Sequence, residues 1–202
     1  AGCGCVITSL AMLLEYYGVS ADPGVLNDYF NEDEVCTNDG CISRGYVYGN
    51  VRWNGINGYS SKMHEEYGTA KVQFVAGDVY DFKNAQEEID AGRPIILKAQ
   101  DFSHWFIGTG IRGDSLTIND PFFDETMLSG KRYRNAASKT RTFKKVNSDF
   151  SLIEIFVEAT GSAIITDQFG RRTGTEEASQ SIWTEIPRSI YDFEEYIDKP
   201  DS

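Results

Sequence analysis

The sequence predicts an α+β fold, with an N-terminal helix packed on an antiparallel sheet and a smaller β-rich module after it. Three observations predict it. The stretch AGCGCVITSLAMLLEYYG places Ile7, Leu10, Ala11 and Leu14 at i, i+3, i+4 and i+7, the spacing of one buried helix face. Residues 94–120 hold a continuous apolar run and then two strands joined by a tight turn. From Ala159 the composition shifts to Gly, Thr, Ser and short apolar runs. That shift sets a boundary near 158–162 and two domains, 1–158 and 159–202.

Taken in order, the first helix ends at Gly18, which suits a C′ position because φ > 0 costs glycine nothing. Asp22 can cap a second helix with Pro23 at its first position, and Val25, Leu26, Tyr29 and Phe30 form its apolar face. Residues 31–50 are polar and glycine-bearing and read as a loop. A short helix follows within 50–67, carrying Trp53, Ile56 and His64; the charged neighbours of His64 mark a solvated face. KVQFVAG (71–77) alternates as a strand does, 82–91 reads as a helix closed by Gly92, and PIILKAQ (94–100) reads as a buried strand. HWFIGTGI (104–111) and SLTIND (115–120) are hairpin partners around Arg112, Gly113 and Asp114, and Pro121 ends the second. The Arg-Gly-Asp tripeptide reads as that turn, not as an adhesion motif. Residues 129–148 hold seven of the 19 Lys and Arg and read as an exposed connection. LIEIFVE (152–158) reads as a strand, and AIITDQFGRRTG with SIWTEIP as strand, turn, strand.

Composition narrows the class. With 202 residues and 41% apolar content the chain can bury a real core. No run of 18 apolar residues is present to span a membrane. The net charge of −12 and pI near 4.6 repel nucleic acid phosphates and anionic lipid, and serve solubility or attract basic substrates.

Cysteines occur at 3, 5, 36 and 41. Cys36 and Cys41 bracket the polar turn TNDG, which can close a disulfide loop in an oxidising compartment. A four-thiolate zinc site is the competing reading, but the usual CxxC pairs are replaced by CxC and Cx4C. Cys3 and Cys5 sit at the start of the first helix, where free N–H groups and the macrodipole favour a thiolate. A thiolate nucleophile needs a base and a group to orient it. His104 opens an apolar strand, and Asp120 ends the partner strand near the same end of the ladder, where a carboxylate can take the imidazole N–H. Asn119 is the alternative orienter, although strand alternation points it to the opposite face.

Taken together, GCVITSLAMLLEYYGV, DPGVLNDYF, AGRPIILKAQ, HWFIGTGIRGD and INDP resemble the papain-fold cysteine peptidases related to the double-glycine leader peptidases of bacteriocin export. The resemblance covers residues 2–121. It implies a papain-like fold with Cys5, three residues before Thr8, as nucleophile, His104 as base and Asp120 as its acidic partner. Cys3 is an extra. The family's oxyanion-hole Gln is absent from the four residues before Cys5, so either it is expected upstream of this chain or the oxyanion site is incomplete. The transporter membrane segments that accompany leader peptidases are also absent, which turns the resemblance toward soluble, secreted or cell-surface bacterial relatives. ITDQFGRRTG and TEIPRSIYDFEEYIDKPDS resemble a β-rich module of secreted bacterial proteins that normally runs further. Residues 159–202 are then a partial module, and further β domains of the same polypeptide are expected.

The expected activity is peptide-bond hydrolysis through Cys5, His104 and Asp120, with a thioester acyl-enzyme, a peptide or protein substrate, and neither cofactor nor metal. Amidase, transpeptidase or isopeptidase chemistry on the same triad is the first alternative, because all share the acyl-enzyme. A non-catalytic binding or structural module on this fold is the second.

Overall fold

The fold is α+β, and its helices and the strands over 71–119 follow from the apolar pattern. The computed structural model describes residues 4–37, 40–148, 150, 155, 162–176, 181–187, 189 and 191. The chain packs as two units, Ala1–Phe150 and Ser151–Ser202. The expected boundary near 158 and most of the strand expected over 152–158 lie outside the described residues, as does Cys3.

The first unit opens with α1 (Gly4–Tyr16), which buries Ile7, Leu10, Ala11 and Leu14 together with Val6 and Leu13. Gly18 takes φ 79°, its N–H bonds the Glu15 carbonyl and that of Val19 bonds Leu14, a Schellman stop. In α2 (Pro23–Asn31) the Asp22 carboxylate accepts from the N–H groups of Gly24 and Val25. Its buried face is Leu26, Tyr29 and Phe30; Val25, expected on that face, is exposed.

Residues 31–50, expected as loop, contain four short strands: β1 (Val35–Thr37), β2 (Gly40–Ile42), β3 (Tyr46–Val47) and β4 (Asn50–Val51). They form an antiparallel sheet in sequence order. Strands of two or three residues are too short to show a period, so cross-strand pairing decides them. Cys36 pairs directly with Cys41 and is disulfide-bonded to it. Because both sulfurs are joined, neither is a thiolate for zinc, although Glu34 lies beside them.

Trp53 lies in the turn before α3 (Gly55–Tyr67), which ends at Gly68 in the left-handed region. Then come β5 (Lys71–Val79), α4 (Phe82–Asp90), β6 (Ile95–Ala99), β7 (Trp105–Arg112), β8 (Ser115–Asn119) and β9 (Ala137–Val146). These five strands form one antiparallel sheet in the order β5-β9-β6-β7-β8. Its central strands β6 and β7 are buried on both faces over most of their length. Ile96, Trp105, Ile107, Phe74 and Phe143 join the core of α1, α2 and α3, while Ile95, Leu97, Phe106, Leu116 and Ile118 join Ala85 of α4. That double burial explains the continuous apolar run over 94–100.

The reading of 129–148 as an exposed connection is corrected by β9, which pairs with β5 on one side and β6 on the other. Lys144 and Lys145 are exposed as expected of basic residues, but Arg141 is fully buried. Its guanidinium lies 5.2 Å from the Trp53 ring centre and 5.3 Å from that of Trp105. Arginine can be buried this way because its cation faces aromatic rings and its stem packs as an aliphatic chain.

In the second unit, β10 (Ile164–Thr166), β11 (Arg172–Glu176) and β12 (Ser181–Thr184) form an antiparallel three-stranded sheet, the strand–turn–strand pattern expected there. Asp167 caps the β10–β11 turn by accepting from the N–H groups of Phe169 and Arg171.

Candidate active site

Helix α1 packs against β7, and this packing brings the second residue of the helix to the first residues of the strand. One turn further along α1, the Ser9 hydroxyl donates to the Trp105 carbonyl at 3.4 Å. Cys5 is half-buried and carries a reduced thiol. Burial pushes that thiol's pKa up. A hydrogen bond to His104, backbone hydrogen bonds from Trp105 and Val6, and the His104 charge outweigh burial, so the net shift is downward.

His104 ends the short connection between β6 and β7. Its N–H bonds the Phe102 carbonyl at 2.9 Å, and its carbonyl accepts from Ala99 N–H at 2.9 Å. Its ring is buried. Nε2 lies 2.9 Å from Asp120 Oδ1, which leaves Nδ1 for the Cys5 thiol. Burial lowers the imidazole's pKa, but the bonds to Cys5 and Asp120 raise it further than burial lowers it. Phe102 and Phe106 stack on the ring at 6.0 Å and Phe123 meets it edge-on at 5.2 Å, so the imidazole is shielded on several sides.

Asp120 reaches His104 through the register of the hairpin. A bulge at Thr109 shifts the ladder between Gly108 and Gly110, and beyond it Ile107 pairs with Asn119. Continuing that pairing sets Asp120 opposite Phe106, so His104 is its diagonal neighbour on the same face. Asn119 falls on the opposite parity and is exposed. The Asp120 side chain is fully buried. Burial works to raise its carboxyl pKa. The Tyr133 hydroxyl, the N–H groups of Phe123 and Phe122 at 2.9 and 2.8 Å, and His104 more than offset this, so it is held below the ordinary carboxylate range.

The structure thus sets Cys5, His104 and Asp120 side by side in the order thiol, imidazole, carboxylate. His64 is not among them: it sits exposed on the last turn of α3, with Nδ1 2.5 Å from the Thr69 carbonyl. A shallow depression of about 270 Å³ lined by His64, Lys71 and Lys145 contains none of the three. Tyr133, Phe102 and Phe123 were not legible as site residues, because each lies in a connection with no periodic signal. The only clue was their aromatic character beside a candidate histidine and aspartate.

The family model described as the Peptidase_C39 like family matches residues 2–148, nearly the whole first unit. The chain belongs to the Peptidase_C39-like family. Membership in a C39-like family points to a cysteine peptidase acting on peptides or proteins. The match spans all three residues of the site and ends just after β9, so the hairpin, the bulge and the basic strand all belong to the C39-like region. No curated protein matches the chain. Among the described residues no helix of this C39-like chain is long and apolar enough to cross a membrane.

Proposed function

We propose that the chain is a cysteine peptidase of papain-like architecture. The observation that carries this reading is His104, whose ring is hydrogen-bonded to the Cys5 thiol on one side and to buried Asp120 on the other. A lowered thiol pKa beside a raised imidazole pKa favours a thiolate–imidazolium pair at rest.

In the reaction, the Cys5 thiolate attacks the peptide carbonyl carbon and forms a C–S bond while the carbonyl oxygen takes the negative charge. In this reading the donor to that oxygen is the backbone N–H of Cys5, in the first turn of α1. Collapse breaks the C–N bond, and the His104 imidazolium gives its proton to the departing amine. The acyl group remains as a thioester. Water then attacks it, His104 takes the water proton, and the acid leaves as the thiolate is restored. Asp120 holds the imidazole tautomer and stabilises its cation throughout.

The site lies within the first domain, which we extend to residue 158 as the catalytic domain, with 159–202 as an accessory β module. The Cys36–Cys41 disulfide supports a secreted or cell-surface location, since such bonds persist in oxidising compartments.

Cleavage of a quenched fluorescent peptide library tests the reading. Cys5→Ala should abolish cleavage while Cys3→Ala retains it. Full activity in Cys5→Ala with a dead Cys3→Ala would move the nucleophile to Cys3.

A further inference from the structure

We propose that Tyr133 is a positioning residue for this site: its buried hydroxyl holds the second oxygen of Asp120 and so keeps the first aimed at His104. The proposal rests on the reading of Cys5, His104 and Asp120 as the peptidase site.

Asp120 Oδ1 already serves His104 and two backbone N–H groups, while Oδ2 accepts from the Tyr133 hydroxyl. A carboxylate turns easily about its last torsion, where rotamer wells are broad. Donors on both oxygens, coming from different segments, stop that rotation. A tyrosine suits the task chemically. It is neutral, so it leaves the carboxylate's charge available to the imidazolium, whereas a lysine or arginine would compete for it. Burial and the neighbouring Asp120 push its phenol pKa far up, so it remains a donor throughout the working pH range.

The surroundings hold Tyr133 in one place. It is buried, with its ring 4.4 Å from Phe106 and nearly parallel to Phe102 at 5.9 Å. Phe102 also stacks on His104, so one ring covers both the phenol and the imidazole. The backbone immediately after Tyr133 is strained: Arg134 and Asn135 are consecutive non-glycine residues at φ 52° and 61°. Strain of this kind persists where surrounding contacts over-determine it, and it concentrates at functional sites. Here the contacts are the Arg134–Asp101 ion pair, Asn135 Nδ2 donating to the Asp114 carbonyl at 3.2 Å, and Asn135 N–H donating to the Leu128 carbonyl at 2.7 Å. They fix a turn whose result is the aim of the Tyr133 hydroxyl.

The test compares Tyr133→Phe with Tyr17→Phe, which removes another buried hydroxyl bond, that from Tyr17 to the Phe143 carbonyl. Three quantities are read on each folded protein: Tm, the rate of Cys5 alkylation by iodoacetamide, and the proton resonance of His104 Nε2–H. Cleavage of one library peptide that the parent cleaves gives kcat and KM. Tyr133→Phe should lower kcat about tenfold with KM little changed, slow alkylation, and shift or broaden the His104 resonance. Tyr17→Phe should move Tm alone. If Tyr133→Phe also moves Tm alone, the proposal is overturned. In the parent protein, with no substitution, the Tyr133 hydroxyl proton should exchange slowly with water; exchange at the rate of an exposed phenol overturns the proposal as well. These resonances are read without substrate, so their failure is separate from failure of the nucleophile assignment, which Cys5→Ala decides.

Discussion

Asp120 Oδ1 lies 2.9 Å from His104 Nε2, and the two residues reach each other across a hairpin whose register is shifted by a bulge at Thr109. The bulge matters because strand side chains alternate: a register one residue away would bring Asn119, not Asp120, to the face that His104 occupies.

Asp120→Asn therefore should keep the fold and lower kcat by about 10- to 100-fold, the effect of one charge-assisted hydrogen bond. KM should change little, because no substrate contact is lost. Asn119→Ala should be nearly silent. The opposite pattern, a silent Asp120→Asn and a crippled Asn119→Ala, would make Asn119 the orienter.

His104→Ala should abolish cleavage, while His64→Ala should match the parent. The His64 ring bonds a local carbonyl just after α3, whereas His104 joins the thiol to the carboxylate. Comparable losses in the two variants would show that the base has been assigned wrongly.

The pH behaviour follows from the directions of the shifts. Because the Cys5 thiol is lowered from 9.0, its alkylation by iodoacetamide should persist at pH values where a model thiol has become unreactive, and His104→Ala should remove much of that advantage. For stability the signs differ between the partners. The Asp120 carboxyl is depressed from 3.8, so its contribution is present above that value and is lost as pH falls through the folded pKa. His104 is raised from 6.5, so its contribution is complete below that value and is lost as pH rises through the folded pKa. Urea titrations of the parent and Asp120→Asn from neutral to strongly acidic pH should show a stability difference that narrows only on the acid side. A difference that stays constant to low pH would contradict the depressed carboxyl.

Cys36 and Cys41 should appear as one linked peptide in non-reducing mapping. Opening this short loop by Cys36→Ser with Cys41→Ser should cost about 2 kcal/mol in the chain-entropy account. Recovery of two alkylated thiols from the native protein would remove the main support for an extracellular location.

Much of the site was legible in the sequence because it depends on local patterns. The helix-period run around Cys5, the glycine at position 18, the Asp22 cap and the hairpin around Gly113 each arise from interactions within a few residues. The apolar run over 94–100 likewise announced a strand buried on both faces. Those patterns, with strand alternation, were enough to nominate His104 and Asp120 and to disfavour Asn119.

Other features were decided only by tertiary structure. Strand β9 reads as solvated by charge, yet it sits inside the sheet, because backbone pairing with β5 and β6 outweighs side-chain polarity and two tryptophans accommodate Arg141. The four short strands over 35–51 have no period to read and exist through cross-strand pairing. Tyr133 lies thirteen residues from Asp120, in a connection without periodicity, and only folding brings its hydroxyl to the carboxylate. Local steric and apolar preferences act over three or four residues and leave a mark in sequence. Long-range pairing and the aim of a single buried hydroxyl act between segments, and the chain records them only once it has folded.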